Sequence, residues 1–148
     1  MSYTIAILIP STSNKRDWKI MQDSYLYKFT LKSFLLTYNK NNNYQYKFFI
    51  GVDDDDEFYN DNININNFKR FISIMKNLEI EFIHMNNVPK GHVTIIWNNL
   101  FKIAYDNNFQ YFFQCGDDIE FKTKNWKEDG ISELQKNNDL GVTGPINN

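Results

Sequence analysis

One cysteine, three prolines and six glycines in 148 residues put several protein classes out of reach. The lone thiol, Cys115, builds neither a disulfide framework nor a Cys-based zinc site within one chain, and it suits a reducing compartment such as the cytoplasm. So little Gly and Pro excludes collagen-like and linker-like composition. An excess of one charge is missing too. Lys+Arg number 16 and Asp+Glu 18, a net charge of −2, which leaves no basic footprint for nucleic acid. No apolar run approaches the roughly 18 residues of a membrane span. Met1 to Pro10 lacks a basic start, and its apolar run is only Ile5 to Ile9, so it does not read as a secretory leader.

What the chain has is a large apolar and aromatic load. Hydrophobic residues make up 42% and aromatics 17%, enough to exclude a disordered chain and to build the core of one domain spanning residues 1–148. Strand-like and helix-like segments alternate. Tyr3 to Pro10, Tyr46 to Val52, Leu78 to Met85 and Phe109 to Cys115 read as strands, with Leu140 to Thr143 as a last one. Trp18 to Tyr38 reads as one long amphipathic helix, broken at Asn39 to Asn43. Phe68, Phe71, Ile72, Met75 and Leu78 mark a second helix, Val93 to Ala104 a third, and Glu128 to Lys136 a short fourth. This alternation predicts an α/β domain of Rossmann-like, three-layer α/β/α type with a mainly parallel sheet.

In such sheets ligands bind beyond the carboxyl ends of the strands. Three ends then matter: Pro10 to Thr12, Asp53 to Asp56, and Gly116 to Asp118. Asp117 and Asp118 follow a nearly all-apolar strand, where two adjacent carboxylates are costly unless a cation or proton compensates them. A divalent metal is a natural partner. Asp53 is the first residue past its strand, with a carboxylate placed to accept from a nucleotide base. Asp54 to Glu57 reads as a solvated acidic loop, and it is no EF-hand because Phe58 stands where the turn Gly would be. No GxGxxG, P-loop or nucleophile elbow occurs. His84 and His92 read as structural, and Cys115 as a core thiol whose pKa the acidic pair raises.

IAILIPSTSNKRD (residues 5–17), FFIGVDDDD (48–56) and WNNLFKIAYDNNFQYFFQCGDDIEF (97–121) resemble, in that order, the motifs of a GT-A glycosyltransferase of the family 2-like group. The match covers nearly the whole chain, but only the N-terminal, donor-binding part of a complete enzyme, without the C-terminal acceptor-binding part. The resemblance implies transfer of a sugar from a UDP- or GDP-sugar to an acceptor hydroxyl, with Mn²⁺ or Mg²⁺ as cofactor. It implies donor binding by Pro10, Ser11, Thr12, Asp53, Lys90, Asn99 and Asp117, and metal binding by Asp118 and Asp117. Trp126 sits where many members have a Trp.

Two departures stand out. The Asp-x-Asp register falls on Gly116-Asp117-Asp118, so its first Asp is Gly. Asn98 replaces the common Arg before the helix Asn, which leaves the phosphates to Lys90, Lys15, Arg16 or the metal. No general base stands out, since Glu128 and Asp129 read as first-turn helix acids. The other readings are a non-catalytic nucleotide or nucleotide-sugar binding module, and a Mg²⁺-binding receiver-like domain. The latter expects an acidic pair after the first strand, where Pro10-Ser11-Thr12 stands. Apolar surface left by a missing second half would favour a homo-oligomer.

Overall fold

Among the described residues four strands form one all-parallel sheet in the order β3-β2-β1-β4: β1 (Tyr3–Pro10), β2 (Tyr44–Asp53), β3 (Leu78–Met85) and β4 (Tyr111–Gln114). The computed structural model describes residues 2–38, 43–123, 126–139 and 141–144. Side chains alternate across a strand, so β1 feeds both faces. Ile5, Ile7 and Ile9 join one apolar cluster and Ala6 and Leu8 another, all at most 3% exposed. Burial on both faces explains why β1 and the end of β2 are continuous apolar runs.

The smaller cluster is closed by α4 (Val93–Asp106) through Ile96, Leu100 and Ala104. Gly51 lets this helix approach, because a Cβ there would lie 2.5 Å from Ile96 Cγ2. The larger cluster packs under α1 (Lys32–Thr37), α2 (Glu57–Asn60), α3 (Asn62–Ile72) and α5 (Trp126–Gln135). A π-helical stretch, Leu26–Leu31, leads into α1 and buries Leu26, Thr30 and Leu31.

The long helix expected over Trp18 to Tyr38 is shorter. Asp23 Oδ2 accepts from the backbone N–H groups of Lys19 and Ile20, tying that segment into a turn. The Ser24 hydroxyl then accepts from Tyr27 N at 3.2 Å and starts the helical run. The expected break at Asn39 to Asn43 lies outside the described residues except for Asn43.

The stripe Phe68 to Leu78 is core, but α3 ends at Ile72. Met75 and Leu78 remain buried, while Asn77 Nδ2 bonds to Tyr44 O at the start of β2 and turns the chain into β3. No strand forms over 141–144, and Leu140 lies outside the described residues. The chain turns at Asn138, Asp139 and Gly141, all at positive φ, rather than extending along the sheet.

Candidate functional site

The chain steps outward from β1 to β2 to β3, then crosses to β4 on the other side of β1. The crevice between the carboxyl ends of β1 and β4 is therefore the topological switch point, where open α/β sheets bind ligands. Ser11 and Asp117 meet there. Ser11 Oγ donates to Asp117 Oδ2 at 2.8 Å, and the Tyr59 hydroxyl meets the same Ser11 oxygen. The single Ser11 proton is spent on Asp117, so the Tyr59 phenol donates to Ser11. Burial pushes that phenol's pKa up, which keeps its proton in place.

Asp117 is buried, whereas Asp118 is exposed. Burial raises the Asp117 carboxyl above its ordinary value, and the Ser11 hydroxyl and the Arg16 guanidinium oppose the rise without cancelling it. Arg16 Nη1 donates to Asp117 Oδ2 at 2.9 Å and to Thr12 O at 3.1 Å. The guanidinium rests against the rings of Trp18 and Tyr25, 4.9 and 4.5 Å from their centroids. Much of the positive charge that the acidic pair calls for thus comes from the chain itself. From the π-helical stretch, Thr30 Oγ1 donates to the carbonyls of Asp117 and Ile119, fixing the loop after β4.

Asp53 ends β2 on the same rim. Partial burial raises its carboxyl; the Lys90 charge pulls it back, the Asp55 and Asp56 charges add to the rise, and the Thr12 side chain opposes it slightly. Thr12 follows Ser11, so one loop bonds to Asp117 through Ser11 and lines a pocket beside Asp53 through Thr12. Between that loop and the end of β2 opens a pocket of about 300 Å³, lined by Thr12, Arg16, Trp18, Asp53, Asp56 and Lys90 among others.

Asp56 departs from the solvated loop expected for Asp54 to Glu57. It is 6% exposed, caps α2 by accepting from Tyr59 N, and accepts from Ser13 N at 2.8 Å and Ser13 Oγ at 2.7 Å. Asp54, Asp55 and Glu57 are exposed, as read from the sequence. The Ser13 clasp on Asp56 had no sequence signal beyond the residue types. A larger cavity, about 600 Å³, lies against β3 and is lined by Lys47, Lys69, Glu79, Glu81 and His84 among others. None of the rim carboxylates reaches it.

The structure brings Ser11, Thr12, Asp53, Lys90 and Asp117 to one rim, with Pro10 closing β1 beside them. Lys90 reaches it through an ion pair with Asp55 at 3.1 Å. Asn99 lies on α4, where its Nδ2 donates to Sδ of Met85, the residue paired with Asp53 at the carboxyl ends of β3 and β2. Cys115 is buried beside the site, its thiol pushed up to about 12 by burial and by the Asp117 and Asp118 charges. Glu128 faces the opposite end of the sheet, where it acts on Tyr44 and Tyr46 at the start of β2.

Among the described residues no group of three or more His, Cys, Asp or Glu side chains is arranged to hold a metal ion. Two adjacent carboxylates, one exposed, fit only a cation that takes its other ligands from water and from ligand oxygens, as Mg²⁺ does. Among the described residues no helix is long and apolar enough to cross a membrane. Compared with known protein families, curated proteins and solved structures, the chain matches none.

Proposed function

We propose that this domain binds a nucleotide-diphosphate sugar on a GT-A-like, three-layer scaffold and serves transfer of its sugar to an acceptor hydroxyl. The observation that carries the reading is the Ser11–Asp117 hydrogen bond at the switch point, with Thr12 of the same loop lining one pocket with Asp53 of the neighbouring strand end. In this reading Asp53 and Thr12 face the base, with Lys90 at the edge of the pocket. Asp118, with Asp117 behind it, holds Mn²⁺ or Mg²⁺. When bound, that ion supplies Lewis-acid stabilisation of the departing nucleoside diphosphate. Arg16 and Ser11 keep the Asp117 carboxylate oriented, and the Thr30 bonds keep its loop from moving. The buried thiol suits a reducing compartment such as the cytoplasm.

The test is release of free nucleoside diphosphate from UDP- and GDP-sugars in Mn²⁺. The reading expects slow release by the native chain and a loss of about tenfold or more in Asp118→Asn. No release from any such donor, together with no binding of one, overturns it. One observation favours the non-catalytic binding module as second reading. The only acid pair near the motif in sequence, Glu128 and Asp129, starts α5, and Glu128 acts at the far end of the sheet. Donor binding without release would select that module.

A further inference from the structure

We propose that Arg16 reads a phosphoryl group of the ligand as a fixed fork, positioned before the ligand arrives. The inference rests on the reading that the ligand of this rim carries phosphate. It goes further in choosing one side chain among four cations around the pocket.

The guanidinium has five N–H donors in one plane. Among the described residues only Nη1 is engaged in hydrogen bonds, to Asp117 Oδ2 and Thr12 O. The rings of Trp18 and Tyr25 hold the plane from the side. The side chain keeps 30% of its surface exposed and lines the pocket next to Asp53. Asp117 is not part of that lining, so Arg16 is the link between the pocket and the acidic pair. One nitrogen anchors the group, and the others remain for an anion.

The other cations of the pocket are built differently. Lys90 is paired with Asp55, and Lys19 lies 3.5 Å from Asp17, with side chains 80% and 92% exposed. Lys15 is exposed on the loop, at φ 60°. Exposed ammonium groups on flexible stems give diffuse charge, while a guanidinium held by rings and a carboxylate gives a directed, bidentate contact with little ordering left to do. Arg16 and Asp117 together are near neutral, so the contact depends on directed hydrogen bonds more than on net charge.

The probe is inorganic pyrophosphate, titrated calorimetrically into the full chain in EDTA, so that no metal takes part. The native chain binds it. Arg16→Lys keeps the charge, loses the fork, and weakens binding by about tenfold or more. Tyr25→Leu keeps Arg16, removes one ring, and weakens binding by about threefold. Lys15→Gln changes it by less than about twofold. Absence of binding by the native chain at millimolar pyrophosphate overturns the proposal. So does an Arg16→Lys variant that binds like the native chain, or a Lys15→Gln variant that loses as much. If Arg16→Lys does not fold by circular dichroism, Tyr25→Leu decides, and an unchanged affinity there counts against the fork. Pyrophosphate carries neither base nor sugar. Binding that depends on Arg16 while no nucleotide-sugar binds leaves this inference standing and removes the glycosyl-transfer reading.

Discussion

The Ser11 hydroxyl donates to Asp117 Oδ2 across 2.8 Å, joining residues 106 positions apart in the chain. The bond closes the switch point between β1 and β4, and its Ser11 oxygen also takes the buried Tyr59 phenol. A relay from Tyr59 through Ser11 to Asp117 therefore ties α2, β1 and the loop after β4 together. Ser11→Ala leaves the buried phenol without its acceptor and Asp117 Oδ2 with Arg16 alone. Its expected cost is about 1–3 kcal/mol, read as a lower urea midpoint at unchanged slope. A midpoint equal to the native one would mean that the relay contributes nothing to stability.

The carboxyls of Asp53 and Asp117 lie above their ordinary value of 3.8, chiefly through burial. Below that value both folded and unfolded chains hold these protons. Above it the unfolded chain gives them up first, so stability falls as pH rises from about 4 through the folded pKa values. Asp117→Asn removes one of the two groups. The stability of the native chain minus that of Asp117→Asn is therefore expected to shrink as pH rises across this window, measured by urea unfolding from pH 3 to pH 7. A difference that widens with pH would reverse the assigned sign.

Gly51→Ala forces a methyl group to 2.5 Å from Ile96 Cγ2 and 3.3 Å from Leu100 Cδ1. The expected loss is about 1–3 kcal/mol from overpacking between β2 and α4. The melting temperature reports it, and an unchanged value would show that α4 can retreat without cost.

Cys115 is 7% exposed, with its thiol pushed up to about 12. The folded chain is expected to resist alkylation by iodoacetamide at pH 8, while the urea-unfolded chain reacts fully. Equal labelling in both states, followed by mass spectrometry, would place this thiol at the surface.

Much of the sheet was legible in the sequence. Tyr3–Pro10 and Leu78–Met85 are strands at the bounds their patterns indicate, because β1 is apolar on both faces and β3 alternates at an edge. The three strand ends that the α/β rule picks out do include the residues that meet. What stayed hidden depends on contacts far apart in sequence. Trp18 belongs to no helix because Arg16 draws the loop against Trp18 and Tyr25 on its way to Asp117. Asp56 looked like its acidic neighbours, and the Ser13 clasp with the cap on α2 separates it from them. Met75 and Leu78 kept the helical spacing of core residues, although the chain had already left α3 for β3. The need for a cation beside Asp117 was readable from the motif. Its supply by Arg16, 101 residues earlier, was not.

In the proposed function, ligand and metal meet at the rim formed by Ser11, Asp53 and Asp117-Asp118. Paramagnetic broadening of backbone amide signals by Mn²⁺, with and without a UDP- or GDP-sugar, tests it most directly. Broadening is expected to centre on Asp117 and Asp118, to need less Mn²⁺ when the nucleotide-sugar is present, and to disappear in Asp118→Asn. Broadening centred on the β3 cavity, or none at the rim with any donor, would contradict it.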